Sequence, residues 1–161
     1  MCKSTRVGPQ TAGRVGRMTK NEPDSQAMMN LLKQGAFPVD QFGDGFLSES
    51  VRDFFDDAFR ELHLTRAAVI RDAGVSRTYG YQILDGTRVG GRDYYLSIAI
   101  AMKLDLRTTQ RMLAVTGSGG LHPLIKRDAA VIFAINHGYD NAQLWTMMTE
   151  LGLSPLDTNV G

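Results

Sequence analysis

The stretch from Leu64 to Gly86, LTRAAVIRDAGVSRTYGYQILDG, constrains the fold more than any other part of the chain. Thr65 offers a side-chain acceptor for a helix start, and Ala68, Val69 and Ala73 then recur at the spacing of one buried helical face over Arg66 to Ala73. Gly74 follows the last of these, where a helix ends best on a residue that tolerates positive φ. Ser76 opens a second helix, and its hydroxyl is expected to accept from the first unpaired backbone N–H groups. That helix runs from Arg77 to about Leu84, points Ile83 inward and stops at Asp85-Gly86. Two short helices about a tight turn are the layout of a DNA-reading unit. Arg77, Thr78, Tyr81 and Gln82 face outward on the second helix. Arg pairs with guanine edges, Gln with adenine, and Thr with methyl or hydrogen-bonding groups in the major groove.

These residues resemble the phage-repressor (Cro-like, XRE-type) helix-turn-helix family, written L-T-Q-x-x-L-A-x-x-x-G-V-S-x-x-x-I-S-x-I-E-x-G. Leu64-Thr65, Gly74-Val75-Ser76, Ile83 and Gly86 match the pattern directly. The resemblance extends over residues 48 to 116, with Arg88 and Arg92 in the place of a basic loop and Leu96 to Leu113 in the place of the last two helices. The wider arrangement, including RTYGYQI and RDAAVIFAINHG, is similar to a bacterial subfamily of regulators with a longer helical C-terminus. It implies an all-α, lambda-repressor-like five-helix domain extended by a C-terminal helical hairpin, acting in transcription regulation through double-stranded DNA. Arg77, Thr78, Tyr81 and Gln82 are then the expected base readers, and Arg66, Ser76, Thr87, Arg88 and Arg92 the expected phosphate ligands. A single reading helix covers few base pairs, so a homodimer on a palindrome is expected, with the C-terminal helices as the first candidate dimer surface.

Two positions depart from the pattern. Where the family carries a small Ala in helix one and a branched residue in the reading helix, this chain has Ile70 and Gly80. Bulk has moved from one side of a contact to the other, so Ile70 is expected to pack on Gly80. Val89-Gly90-Gly91 stands where many relatives have Pro, and a more flexible loop is expected there.

The formal net charge is only +1, but its sign is unevenly spread. Residues 1 to 21 carry Lys3, Arg6, Arg14, Arg17 and Lys20 without an acid, while residues 48 to 61 are rich in Asp and Glu. Residues 64 to 92 carry Arg66, Arg71, Arg77, Arg88 and Arg92 against Asp72 and Asp85. A basic face backed by an acidic helix suits a specific reader that limits non-specific phosphate binding. Arg71, beside Asp72, is expected on the surface away from DNA.

Four segments follow: a disordered basic tail over 1–25, a short helix and aromatic loop over 26–47, the DNA-binding domain over 48–117, and the helical extension over 118–161. SQAMMNLLKQ is a short amphipathic helix, and Phe37, Val39, Phe42 and Phe46 are expected to lie on the main core. Ser48 or Ser50 caps the next helix, whose inward face is Val51, Phe54, Phe55, Ala58, Phe59 and Leu62.

Residues 92–117 and 127–152 align without a gap at an offset of 35, with 7 of 26 positions identical. The shared residues include the opening Arg-Asp, Asp105 with Asp140, and Gly117 with Gly152. Beyond them, a three-residue insertion brings Leu121-His122-Pro123-Leu124 over Leu153-Ser154-Pro155-Leu156. Arg52-Asp53-Phe54-Phe55 opens a more distant third copy. Duplication and independent reuse of the same capping chemistry both account for the pattern. Either way two further helices are expected, at about 126–137 and 141–151, with Trp145, Met147 and Met148 largely in the core beside Leu144 and Leu151. Any of them left exposed would form a surface for a protein partner.

Catalytic chemistry is not indicated, and no enzyme activity, cofactor or metal is expected. Cys2 is the single cysteine, His63, His122 and His137 lack ligand spacing, and Gly117-Ser118-Gly119-Gly120 is not a phosphate loop. No apolar run approaches a membrane span and no secretory core stands at the N-terminus, so a cytoplasmic location is expected. The competing reading is a protein-interaction module on the same scaffold with little or no DNA affinity. Gly80 and the near-neutral charge are its support.

Overall fold

The computed structural model describes residues 25–34 and 49–158. The expected basic tail and the aromatic loop over 36–46 lie outside them. Eight helices, α1 Ser25–Lys33, α2 Val51–Leu62, α3 Arg66–Asp72, α4 Arg77–Leu84, α5 Arg92–Met102, α6 Leu106–Val115, α7 Lys126–Asn136 and α8 Asn141–Glu150, make the described residues all-α. None of these helices is long and apolar enough to cross a membrane.

Three of the helix pairs, α2–α3, α5–α6 and α7–α8, are built by one connection. The first helix ends on a left-handed residue, His63 (φ 52°), Lys103 (φ 56°) or Gly138 (φ 66°). The next residue turns its N–H back to the helix: Leu64 to the Phe59 carbonyl at 3.1 Å, Leu104 to Ala99 at 3.1 Å, and Tyr139 to Ala134 at 2.9 Å. The third residue is the cap of the second helix. Thr65 Oγ1 accepts from the Ala68 N–H, Asp105 from Thr108 and Asp140 from Gln143, where the Gln143 side chain also accepts from the Asp140 N–H. Each such cap contributes about 1 kcal/mol. Upstream, Ser50 caps α2 by accepting from Asp53.

The second helices also end alike, on Gly74, Gly117 and Gly152, all near φ 68°. The following N–H bonds a carbonyl five residues back: Val75 to Ile70, Ser118 to Leu113, and Leu153 to Met148. All three glycines occupy the left-handed region, which a side chain would strain.

The α5–α6 and α7–α8 pairs repeat each other beyond the hairpin. Arg92 donates to both carboxylate oxygens of Asp128 at 2.9 Å and to the carbonyls of Gly119 (2.7 Å) and Gly120 (2.8 Å). Arg127, 35 residues on, donates to both oxygens of Asp93 at 3.0 and 2.7 Å and to the carbonyls of Ser154 (2.9 Å) and Pro155 (3.0 Å). The His122 N–H donates to Asp128 and the Asp157 N–H to Asp93. Each copy thus presents its Arg to the other copy's Asp, the self-complementary exchange of a two-fold contact, here inside one chain. The offset of 35 persists through His122 and Asp157, so Leu121 corresponds to Leu156 and the three-residue insertion expected from sequence is not there. The α2–α3 pair keeps the hairpin but not the exchange: Arg52 pairs within α2 with Asp56, and Asp53 accepts from Ser50.

One core runs from Phe54 and Phe55 of α2 through Ile83 and Leu84 of α4, Tyr95 and Ile98 of α5 and Leu113 of α6 to Val131, Leu144 and Met148 of the last pair. The Phe55 ring stacks on Tyr95 at 6.5 Å and meets Phe54 edge-on at 5.3 Å. The segments 48–117 and 118–158 therefore share a core. Met148 and Leu144 are buried as expected, but Trp145 (57% exposed) and Leu151 (62%) are not.

Candidate nucleic-acid interface

The α3–Gly74–α4 segment is held by the pair of residues singled out in the sequence. A Cβ on Gly80 would lie 2.7 Å from Cγ2 and 2.8 Å from Cγ1 of Ile70, which is itself 3% exposed. Ile70 occupies the volume that a side chain at position 80 would need, and the glycine brings the two helices into contact. Tyr79, Ile83 and Leu84 complete the buried side of α4.

On the other side of α4, Arg77 and Thr78 are exposed, and neither makes a side-chain hydrogen bond or ion pair among the described residues. Tyr81 and Gln82 are half-buried, so the first turn of α4 projects furthest. Ser76 is the residue before α4, as expected, but its hydroxyl makes no capping bond. It is exposed beside the unpaired N–H groups of the first helical turn.

The loop after α4 is tied to it. Thr87 Oγ1 and the Arg88 N–H both donate to the Gln82 carbonyl at 3.2 Å. The Arg88 guanidinium lies 4.6 Å from the centroid of the Tyr79 ring, a cation–π contact that aims it alongside α4. The expectation of a loose glycine loop meets a constraint at Gly90. Its N–H donates to the Tyr95 hydroxyl at 3.2 Å, and a Cβ there would stand 3.0 Å from Ile83 Cδ1. Burial pushes the Tyr95 hydroxyl above its usual pKa, so it stays protonated. Val89, in contrast, is exposed.

Two of the expected phosphate ligands have partners inside the protein. Arg66 donates to Asp56 of α2 and, at 3.1 Å, to Asp85 after α4, with its guanidinium over the Phe59 ring. It joins three elements and leaves little of its fork for a ligand. Arg92 belongs to the exchange between α5 and α7. Its hydrogen bond to Asp128 raises its pKa, and the same bond holds the Asp128 carboxyl below its usual value. Burial pushes the Asp93 carboxyl up, but hydrogen bonds from Arg127 and the Asp157 N–H leave it net below the usual value. Arg71 pairs with Asp72 on the surface, as expected. The candidate face thus gathers Arg77, Thr78, Ser76, Tyr81, Gln82, Thr87 and Arg88, and excludes Arg66 and Arg92.

Sequence reasoning missed the Arg88–Tyr79 stack and the internal use of Arg92. A signal for the second was present in the Arg-Asp dipeptide that opens both repeats.

No family model, curated protein or solved structure matches the chain.

Proposed function

We propose that the protein is a sequence-specific binder of double-stranded DNA that acts in transcription regulation, with α3–Gly74–α4 as its helix-turn-helix. In this reading the first turn of α4 enters the major groove, Arg77, Thr78, Tyr81 and Gln82 read base edges, and Ser76, Thr87 and Arg88 contact phosphates. The observation that carries the reading is the packing of Ile70 on Gly80. It makes two short helices one unit whose polar side is exposed and whose first-turn arginine has no partner among the described residues. The same packing answers the objection that a glycine in α4 makes it too loose to read DNA. A homodimer remains part of the proposal, because one copy of α4 reads too few base pairs for useful specificity.

Selection of bound sequences from a random duplex library tests it. A recovered palindromic motif, lost with Arg77→Ala plus Gln82→Ala in a protein that keeps its helical circular dichroism, supports the reading. Failure to enrich any sequence at low salt leaves the protein-interaction reading in its place.

A further inference from the structure

The two repeats differ at one place where their symmetry asks for the same bond. In the first, the Gln110 carboxamide closes the strap that follows α6 onto the helix: its Nε2 donates to the Leu121 carbonyl at 2.9 Å and its Oε1 accepts from the Leu121 N–H at 2.8 Å. In the second, the positions 35 residues on are Trp145 and Leu156. An indole cannot serve as that carboxamide, and among the described residues the Leu156 N–H and carbonyl have no hydrogen-bond partner.

A cleft of about 280 Å³ stands there instead. Trp145, Leu144 and Leu156 contribute apolar surface, and the turn from Arg71 to Gly74 and Thr158 also line it. Ser97, 2% exposed, is a buried polar residue lining it. Asn141 fixes the cleft's position by donating to the Asp72 and Ser97 carbonyls at 3.1 and 3.0 Å. Apolar and aromatic walls with a few convergent polar groups are the make-up of a small-molecule site.

We infer that this cleft binds a small flat aromatic molecule carrying an amide edge, with an N–H donor beside a carbonyl acceptor. The ring lies on Trp145, and the amide edge makes with the Leu156 peptide the two bonds that Gln110 makes with Leu121. Because Gly74 and Trp145 both line the cleft, an occupant touches the α3–α4 turn and the C-terminal hairpin at once. The site goes beyond the DNA reading and its test needs no DNA.

Benzamide is the probe, titrated into the full chain and followed by nitrogen–proton NMR. Expected are saturable shifts of the Leu156 and Gly74 amides and of the indole N–H, which belongs to the chain's single tryptophan. N,N-dimethylbenzamide, which lacks the donor, should shift them at least tenfold less at equal concentration. Trp145→Gln should restore the first repeat's closure: the Leu156 amide moves to a bonded position without ligand, and the benzamide response falls at least tenfold. The inference is overturned if benzamide produces no saturable shift, if the dimethyl analogue does equally well, or if folded Trp145→Gln still responds.

Discussion

Gly80 and Ile70 show how a single side chain can change the cost of its neighbour. Alanine at a mid-helix glycine ordinarily stabilises by about 1 kcal/mol. Here Gly80→Ala is expected to destabilise by about 1–3 kcal/mol, because the new Cβ would overlap the Ile70 side chain. Ile70→Ala alone should cost about 2–5 kcal/mol by opening a cavity. The double variant should be more stable than the sum of the two, with a coupling of at least 1 kcal/mol in denaturant unfolding. Additive costs would refute the contact. This exchange was legible in the sequence because the family that the stretch resembles pairs the same two positions, one in each helix. The fate of Arg66 was not. Its acceptors, Asp56 and Asp85, lie 10 and 19 residues away on other elements, and nothing in the local pattern of a basic residue distinguishes an ion pair from a phosphate ligand.

At the scale of elements, the recurring hairpin connection makes its three cap residues comparable. Thr65→Ala, Asp105→Ala and Asp140→Ala should each lower stability by about 0.5–2 kcal/mol, and Gln143→Ala should remove the return bond that the Asp140 N–H donates. Thermal unfolding followed by circular dichroism ranks them. His63 holds a left-handed conformation that Gly138 holds in the third hairpin. His63→Gly should therefore stabilise by about 0.5–1 kcal/mol, the strain relieved exceeding the added chain entropy. A lower melting temperature would contradict that assignment. Helix positions, glycine stops and the caps at Ser50, Thr65, Asp105 and Asp140 could be read from the sequence, because each rests on residues within five positions, whereas the capping bond expected of Ser76 is not made. The Arg–Asp exchange could not, since its reciprocal geometry exists only once the two hairpins meet. The repeated dipeptide marked its residues but not its direction. Trp145, expected in the core with Leu144 and Met148, is 57% exposed, because which neighbours cover a helix face is set by other elements and not by spacing along α8.

For the whole molecule, the exchange predicts an acid limit. Asp93 and Asp128 both sit below the ordinary carboxylate value of 3.8 in the folded protein. Their contribution is therefore complete above that value and is lost as the pH falls through their lower folded values. Stability measured by denaturant between pH 6 and pH 2 should fall steeply below about pH 4. In Asp128→Asn that fall should be shallower, and at neutral pH the variant should be weaker than wild type by about 3–5 kcal/mol, because Arg92 loses its charged partner. Charge accounting also bears on the DNA reading. With Arg66, Arg71 and Arg92 engaged internally, Arg77 and Arg88 remain on the candidate face. The slope of log affinity against log salt should then be shallow, about −2 for a protomer and about −4 for a dimer. A slope near −8 would require cations outside this face. Finally, the order of synthesis matters to the α3–α4 turn. Its carbonyl at Asp72 receives Asn141 from 69 residues downstream, and Asp93 receives the Asp157 N–H from 64 residues downstream. At roughly 5–20 residues per second, a ribosome needs several seconds to pass from one to the other. During that interval the nascent chain has its turn without its brace, so a translational pause between residues 100 and 140 would lengthen the time in which the half-built core is open to proteases and to other chains.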